Sequence, residues 1–165
     1  MKFTIKSLFI IFCIFQITSF AQISKKEISA LKSLSKGSDV IATGKVTKQK
    51  SSWNTNKTRI YTEATLQVDE FLKGNHIESN IIVKYPGGEV GEVGELYTHM
   101  PRFENNEEVL VFLKKDKKDA AYKVYEGEEG KIKVLNDSKT GEKVTSSNVQ
   151  IKYLKAQIKN YLKSN

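Results

Sequence analysis

Residues 60–69, Ile60-Tyr61-Thr62-Glu63-Ala64-Thr65-Leu66-Gln67-Val68-Asp69, alternate between two kinds of side chain. Ile60, Thr62, Ala64, Leu66 and Val68 fall on one face, and Tyr61, Glu63, Thr65, Gln67 and Asp69 on the other. A period of two held this long predicts a β-strand with one buried and one wet face. Phe71-Leu72-Lys73-Gly74-Asn75 closes it with a turn. Upstream, residues 40–46 place Val40, Ala42, Gly44 and Val46 on one strand face, where glycine suggests a bulge or a barrel corner. Downstream, Ile81, Val83 and Tyr85 make a further strand that ends at Pro86-Gly87-Gly88. Residues 109–113 are apolar on both faces, as in a strand covered on both sides. Tyr122-Lys123-Val124 and residues 131–134 form a pair across residues 126–130.

Two helices flank these strands. Ser24-Lys25-Lys26-Glu27 has the form of a capping box, with Ile28, Leu31 and Leu34 at helical spacing and Gly37 as the stop. Residues 147–163 carry an apolar stripe of Ile151, Leu154, Ile158 and Leu162 beside a stripe of Lys152, Lys155, Lys159 and Lys163. This is an amphipathic helix with a solvated lysine face; a membrane-surface helix would need a bulkier apolar face. About six short strands without βαβ spacing make the chain α+β and mainly β. Closing an antiparallel sheet removes its exposed edges, so the expected fold is a small Greek-key barrel with a short N-terminal helix and a C-terminal helix. A two-sheet sandwich is the alternative.

The N-terminus reads as an export signal. Lys2 and Lys6 precede an apolar run over residues 8–15, too short to span a bilayer, and Ser19-Phe20-Ala21 suits cleavage before Gln22. An uncleaved anchor is the competing reading. Residues 1–21 are thus expected to leave, with 22–165 forming one β-rich domain whose core spans about 39–134. The product would be periplasmic or extracellular, without stable membrane insertion. The only cysteine, Cys13, lies in the departing segment. That excludes a disulfide scaffold, a thiol nucleophile and a cysteine-ligated zinc. The net charge of +8, lowered by two when Lys2 and Lys6 leave, is spread among interspersed acids and bases and serves solubility.

Residues 88–95, Gly-Glu-Val-Gly-Glu-Val-Gly-Glu, repeat every third position, matching neither the helical nor the strand period. They are expected to form an extended acidic loop within residues 86–103. Glu89, Glu92 and Glu95 do not reproduce the alternating Asp/Asn pattern of a calcium loop. Three carboxylates would also repel a phosphate cradled by the glycines. His76 and His99 sit in turns without paired ligand spacing, and no Gly-x-Ser-x-Gly elbow is present. Tyr122 and Tyr125 point to opposite strand faces, unlike a base-stacking platform. No cofactor, no metal and no nucleic-acid partner is expected.

Several short motifs occur in a set order: residues 39–46, Trp53, Ile60-Tyr61-Thr62, Phe71-Leu72-Lys73-Gly74, Pro86-Gly87-Gly88, Pro101-Arg102-Phe103 and residues 107–113. Over about residues 39–134 this order resembles a family of exported bacterial domains, some of them joined to protease modules. It loosely resembles the netrin and tissue-metalloproteinase-inhibitor type of oligonucleotide/oligosaccharide-binding (OB) barrel as well. That type uses an N-terminal cysteine to chelate a protease's zinc. Gln22 stands at the expected N-terminus, so the resemblance implies an OB-like fold and not that inhibitory mechanism. The expected function is a secreted, non-enzymatic binding module. It would present the acidic Gly-rich loop and the Trp53 loop to a protein partner, such as an extracytoplasmic protease. The candidate binding residues are Trp53, Arg59, Tyr61, Glu89, Glu92, Glu95, His99 and Arg102. For Trp53, Arg59 and Tyr61 the alternative is rim packing against the barrel. The competing functions are a small envelope enzyme or metal-dependent protein using Glu89, Glu92, Glu95 and His99, and a structural envelope protein.

Overall fold

The alternation over residues 60–69 survives in three dimensions: Ile60, Thr62, Ala64 and Leu66 are buried and the residues between them are half-exposed or exposed. In the computed structural model, which describes residues 25–74, 79–117 and 119–164, they belong to a long strand, β2 (Ile60–Lys73). The expected export signal with Cys13, the expected capping serine Ser24, and His76 lie outside the described residues.

The elements preceding β2 are α1 (Lys25–Gly37) and β1 (Val40–Trp53). Those following are β3 (Asn80–Pro86), β4 (Gly88–Val90), β5 (Val93–Glu95), β6 (Glu108–Lys115), β7 (Tyr122–Val124), β8 (Lys131–Asn136), β9 (Lys143–Val144) and α2 (Ile151–Lys163). A 3-10 turn, Gly127–Gly130, links β7 to β8. The two do not pair with each other as their spacing suggested; each pairs with β6, at opposite ends of it. The C-terminal helix begins at Ile151 rather than at residue 147. Asn148 takes φ 60°, and the amide of Val149 donates to Thr145 Oγ1 at 3.2 Å, so these residues form a turn that leads into the helix.

Closure comes from β1. It pairs antiparallel with β2 along its length and, through residues 40–45, with β6 as well. β2 pairs with β3, β6 with β7, and β3 meets β7 in parallel at Val83 and Tyr122. The ring β1-β2-β3-β7-β6 is a closed five-strand Greek-key barrel with OB-like strand order. The β3–β7 join is parallel, while the other pairings of the ring are antiparallel, so the barrel is dominated by antiparallel pairing as expected. β8 and β9 extend β6 outside the ring. Gly44 lies where β1 serves both neighbours, beside a register shift; a Cβ there would stand 2.2 Å from the carbonyl oxygen of Gln67.

β6 explains its own composition. Val109, Val111 and Leu113 enter the barrel interior with Val46, Leu66 and Val83. Leu110 and Phe112 face the other way, onto Leu31 and Leu34 of α1 and Leu154 and Ile158 of α2. A strand apolar on both faces thus separates two hydrophobic layers. The lysine stripe of α2 is partly neutralised: Lys155 and Lys159 each stand 2.9 Å from a Glu70 carboxylate oxygen.

β2 runs on through Phe71 and Leu72, where a turn was expected, and its last residue has a structural task. Lys73 Nζ donates to the carbonyl oxygens of Ser35 and Lys36 at 2.9 and 3.0 Å, satisfying the C-terminal end of α1. Among the described residues no helix is long and apolar enough to cross a membrane.

Candidate functional site

Residues 86–103 leave the barrel at the end of β3 and return as a strap that leads to β6. Their first half is ordered as a β-hairpin and not as the extended loop expected from its three-residue period. β4 and β5 pair Gly88 with Glu95, Glu89 with Gly94 and Val90 with Val93. Gly91 takes φ 63°, while Glu92 has no positive φ, as in a two-residue II′ turn. A two-residue turn joins partners three positions apart, so the repeat lays valine opposite valine and glutamate opposite glycine.

Hydrogen bonds fasten this hairpin to the barrel. The amide of Gly87 donates to the carbonyl of Ile60 at 2.8 Å, and Thr62 Oγ1 donates to the carbonyl of Gly87 at 2.7 Å. Glu95 Oε2 accepts from the amide of Ile60 at 3.0 Å and from the hydroxyl of Tyr97 at 2.9 Å. The hydrogen bond donated to that carboxylate holds the Tyr97 phenol above its ordinary pKa, because ionising the phenol would forfeit it and also set two negative charges together. Gly88, at φ 127°, has no room for a side chain: a Cβ would lie 2.2 Å from Thr62 Oγ1.

The strap's far end is held by a buried ion pair. Glu107 Oε1 lies 2.8 Å from Lys131 Nζ, and Glu107 Oε2 accepts from the amide of Glu104 at 3.0 Å. Lys131 also donates to the carbonyl of Arg102 and sits 4.9 Å from the centre of the Phe103 ring. Phe103 meets Tyr85 at 5.5 Å between ring centres, inside the core.

The eight candidate residues do not converge on one point. Trp53 is the last residue of β1, paired with Ile60, and not part of the loop expected there. With Arg59 and Tyr61 it lines a groove of about 730 Å³ between the residue 54–59 turn and the strap. There the ring of Tyr61 carries Lys84 Nζ 5.8 Å from its centre, and Lys84 pairs with Asp119 at 2.8 Å. Glu89, Glu95 and Arg102 border a second depression of about 480 Å³, and His99 and Arg102 a third of about 700 Å³. Glu92 stands apart in the hairpin turn. Tyr97 and Met100 border all three depressions, and neither was a sequence candidate.

Individual roles follow. Glu95 is an anchor of the hairpin. His99, at φ 62°, serves through its backbone: its carbonyl accepts from the amide of Glu128 at 3.1 Å. Among the described residues no group of three or more His, Cys, Asp or Glu side chains could hold a metal ion. Glu89, Glu92, Glu95 and His99 therefore do not assemble into a metal centre. Glu89 and Glu92 are exposed and in no ion pair among the described residues, whereas Glu70, Glu104, Glu107, Glu108 and Glu142 all have lysine partners.

Sequence reasoning missed the apolar members. Val93 is 48% exposed, Leu96 68% and Met100 40%. Their signal was present: Val93, Leu96 and Met100 are large apolar residues in a segment rich in glycine and glutamate. No protein-family model matches the chain, and the search of curated proteins returned no match.

Proposed function

We propose that this chain is a secreted, non-enzymatic binding module whose hairpin and strap engage a protein partner. One observation carries the reading: Val93, Leu96 and Met100 are exposed on a segment that hydrogen bonds and a buried ion pair hold in place. Keeping apolar side chains in water is unfavourable, and exposed apolar groups rimmed by polar ones mark interaction surfaces. A prearranged surface also loses little conformational freedom on binding. Trp53, Tyr61, Tyr97 and Arg59 add the residue types that dominate such contacts. The resemblance to exported domains, some joined to protease modules, supports an extracytoplasmic protease as the class of partner.

The test is a comparative pull-down with wild-type protein and a Leu96→Ser, Met100→Ser double variant. Proteins recovered by the wild type and lost by the variant support the reading. Equal recovery by both, with both folded by circular dichroism, removes the strap from the function.

A further inference from the structure

We infer that the partner docks as an extended strand added to the outer edge of β5, carrying basic residues toward Glu89 and Glu92; this rests on the binding-module reading and specifies its mode. Among the described residues β5 pairs with β4 alone. In a hairpin with a two-residue turn, Val90 and Val93 exchange hydrogen bonds, and hydrogen-bonded pairs alternate with non-bonded ones. Gly94, opposite Glu89, therefore turns its N–H and C=O away from β4. Such outward groups are a template for another strand.

Gly94 supplies a second observation. Gly87, Gly88 and Gly91 have positive φ, but Gly94 does not. A Cβ at Gly94 would find its nearest neighbour, Glu89 Cγ, at 3.4 Å, an ordinary contact. Neither conformation nor crowding in the isolated chain calls for glycine there. Close approach of another backbone does, since a strand glycine often marks such a place.

Charge selects the occupant. Glu89, whose Cγ lies over Gly94, and Glu92 in the turn flank this edge without cationic partners among the described residues. A lysine- or arginine-bearing strand would neutralise them. Val93 and Leu96 offer apolar contacts beside the backbone ladder. A second copy of the chain is disfavoured, because its own Glu89 and Glu92 would bring like charge to the same edge.

The probe is a synthetic peptide of about nine residues, long enough to span a short edge, alternating lysine with valine or threonine. Its binding to the full chain is followed by fluorescence anisotropy. Binding is expected to fall about tenfold or more when alternate peptide amides are N-methylated, which removes donors and keeps side chains. The Glu89→Gln, Glu92→Gln protein should bind about tenfold more weakly and with less dependence on salt. Absence of binding, or equal binding by the N-methylated peptide, overturns strand addition. A concentration-dependent dimer that the peptide dissociates would make the occupant a second copy, and overturns the basic-partner assignment. Insensitivity to N-methylation with continued dependence on Leu96 and Met100 sinks strand addition alone. Partner recovery independent of Leu96 and Met100 sinks the module reading itself.

Discussion

Glu107 Oε1 lies 2.8 Å from Lys131 Nζ, with their side chains 2% and 13% exposed. The pair ties the strap to β8, outside the barrel ring. Removing one partner of a buried pair and leaving the other charge uncompensated costs about 3–5 kcal/mol. Lys133 Nζ remains 4.0 Å from Glu107 Oε1, so Lys131→Met should destabilise the fold by less than that range, about 2 kcal/mol in urea titration. The double variant Glu107→Leu, Lys131→Met should recover part of the loss. A Lys131→Met protein as stable as the wild type would show the pair to be dispensable.

Gly88 and Gly94 make a contrasting pair. Alanine at 88 meets both a φ of 127° and Thr62 Oγ1 at 2.2 Å. Gly88→Ala should cost about 2–3 kcal/mol, the scale of forced backbone strain plus a clash. Gly94→Ala, with neither obstacle, should stay within about 0.5 kcal/mol of the wild type. Thermal unfolding of the two variants side by side checks the difference.

Lys73 closes α1 through the carbonyls of Ser35 and Lys36. Lys73→Met keeps the aliphatic stem but leaves those carbonyls without this donor and removes a cation from the helix C-terminus. The expected loss is about 1 kcal/mol, read from urea denaturation. Hydrogen exchange should speed up in α1 before the barrel strands. Uniform acceleration would contradict a local role.

Glu70 supplies a pH-dependent contribution. Hydrogen bonds from Lys159 and then Lys155 hold its pKa below the ordinary 4.5, outweighing desolvation. A carboxylate with a depressed folded pKa stabilises in full above its unfolded value and loses that contribution as pH falls through the folded one. The stability advantage of wild type over Glu70→Gln should therefore be constant near neutrality and shrink below pH 4.5. Denaturation curves at stepped pH measure it. An advantage that persists at the acid limit would assign it to packing.

Much of the barrel was legible from local pattern. Period-two alternation marks β2 because burying one sheet face selects side chains at every second position. The doubly apolar β6 announced a strand between two layers, and Ile28, Leu31 and Leu34 announced α1. The hairpin was misread because a repeat of three was compared with single-element periods. A two-residue turn folds that repeat onto itself, and Gly91 was its signal.

Local pattern, then, determined which residues form strands, which face of each is apolar, and where α1 stops. Tertiary structure alone decided that β1 pairs with both β2 and β6, that β3 meets β7 in parallel, and that Lys131 finds Glu107. It also scattered the eight candidates around a strap centred on Tyr97 and Met100. The reason is physical: alternation records whether a side chain meets water or core. It carries no record of which distant strand supplies that core, because many apolar partners satisfy the same burial.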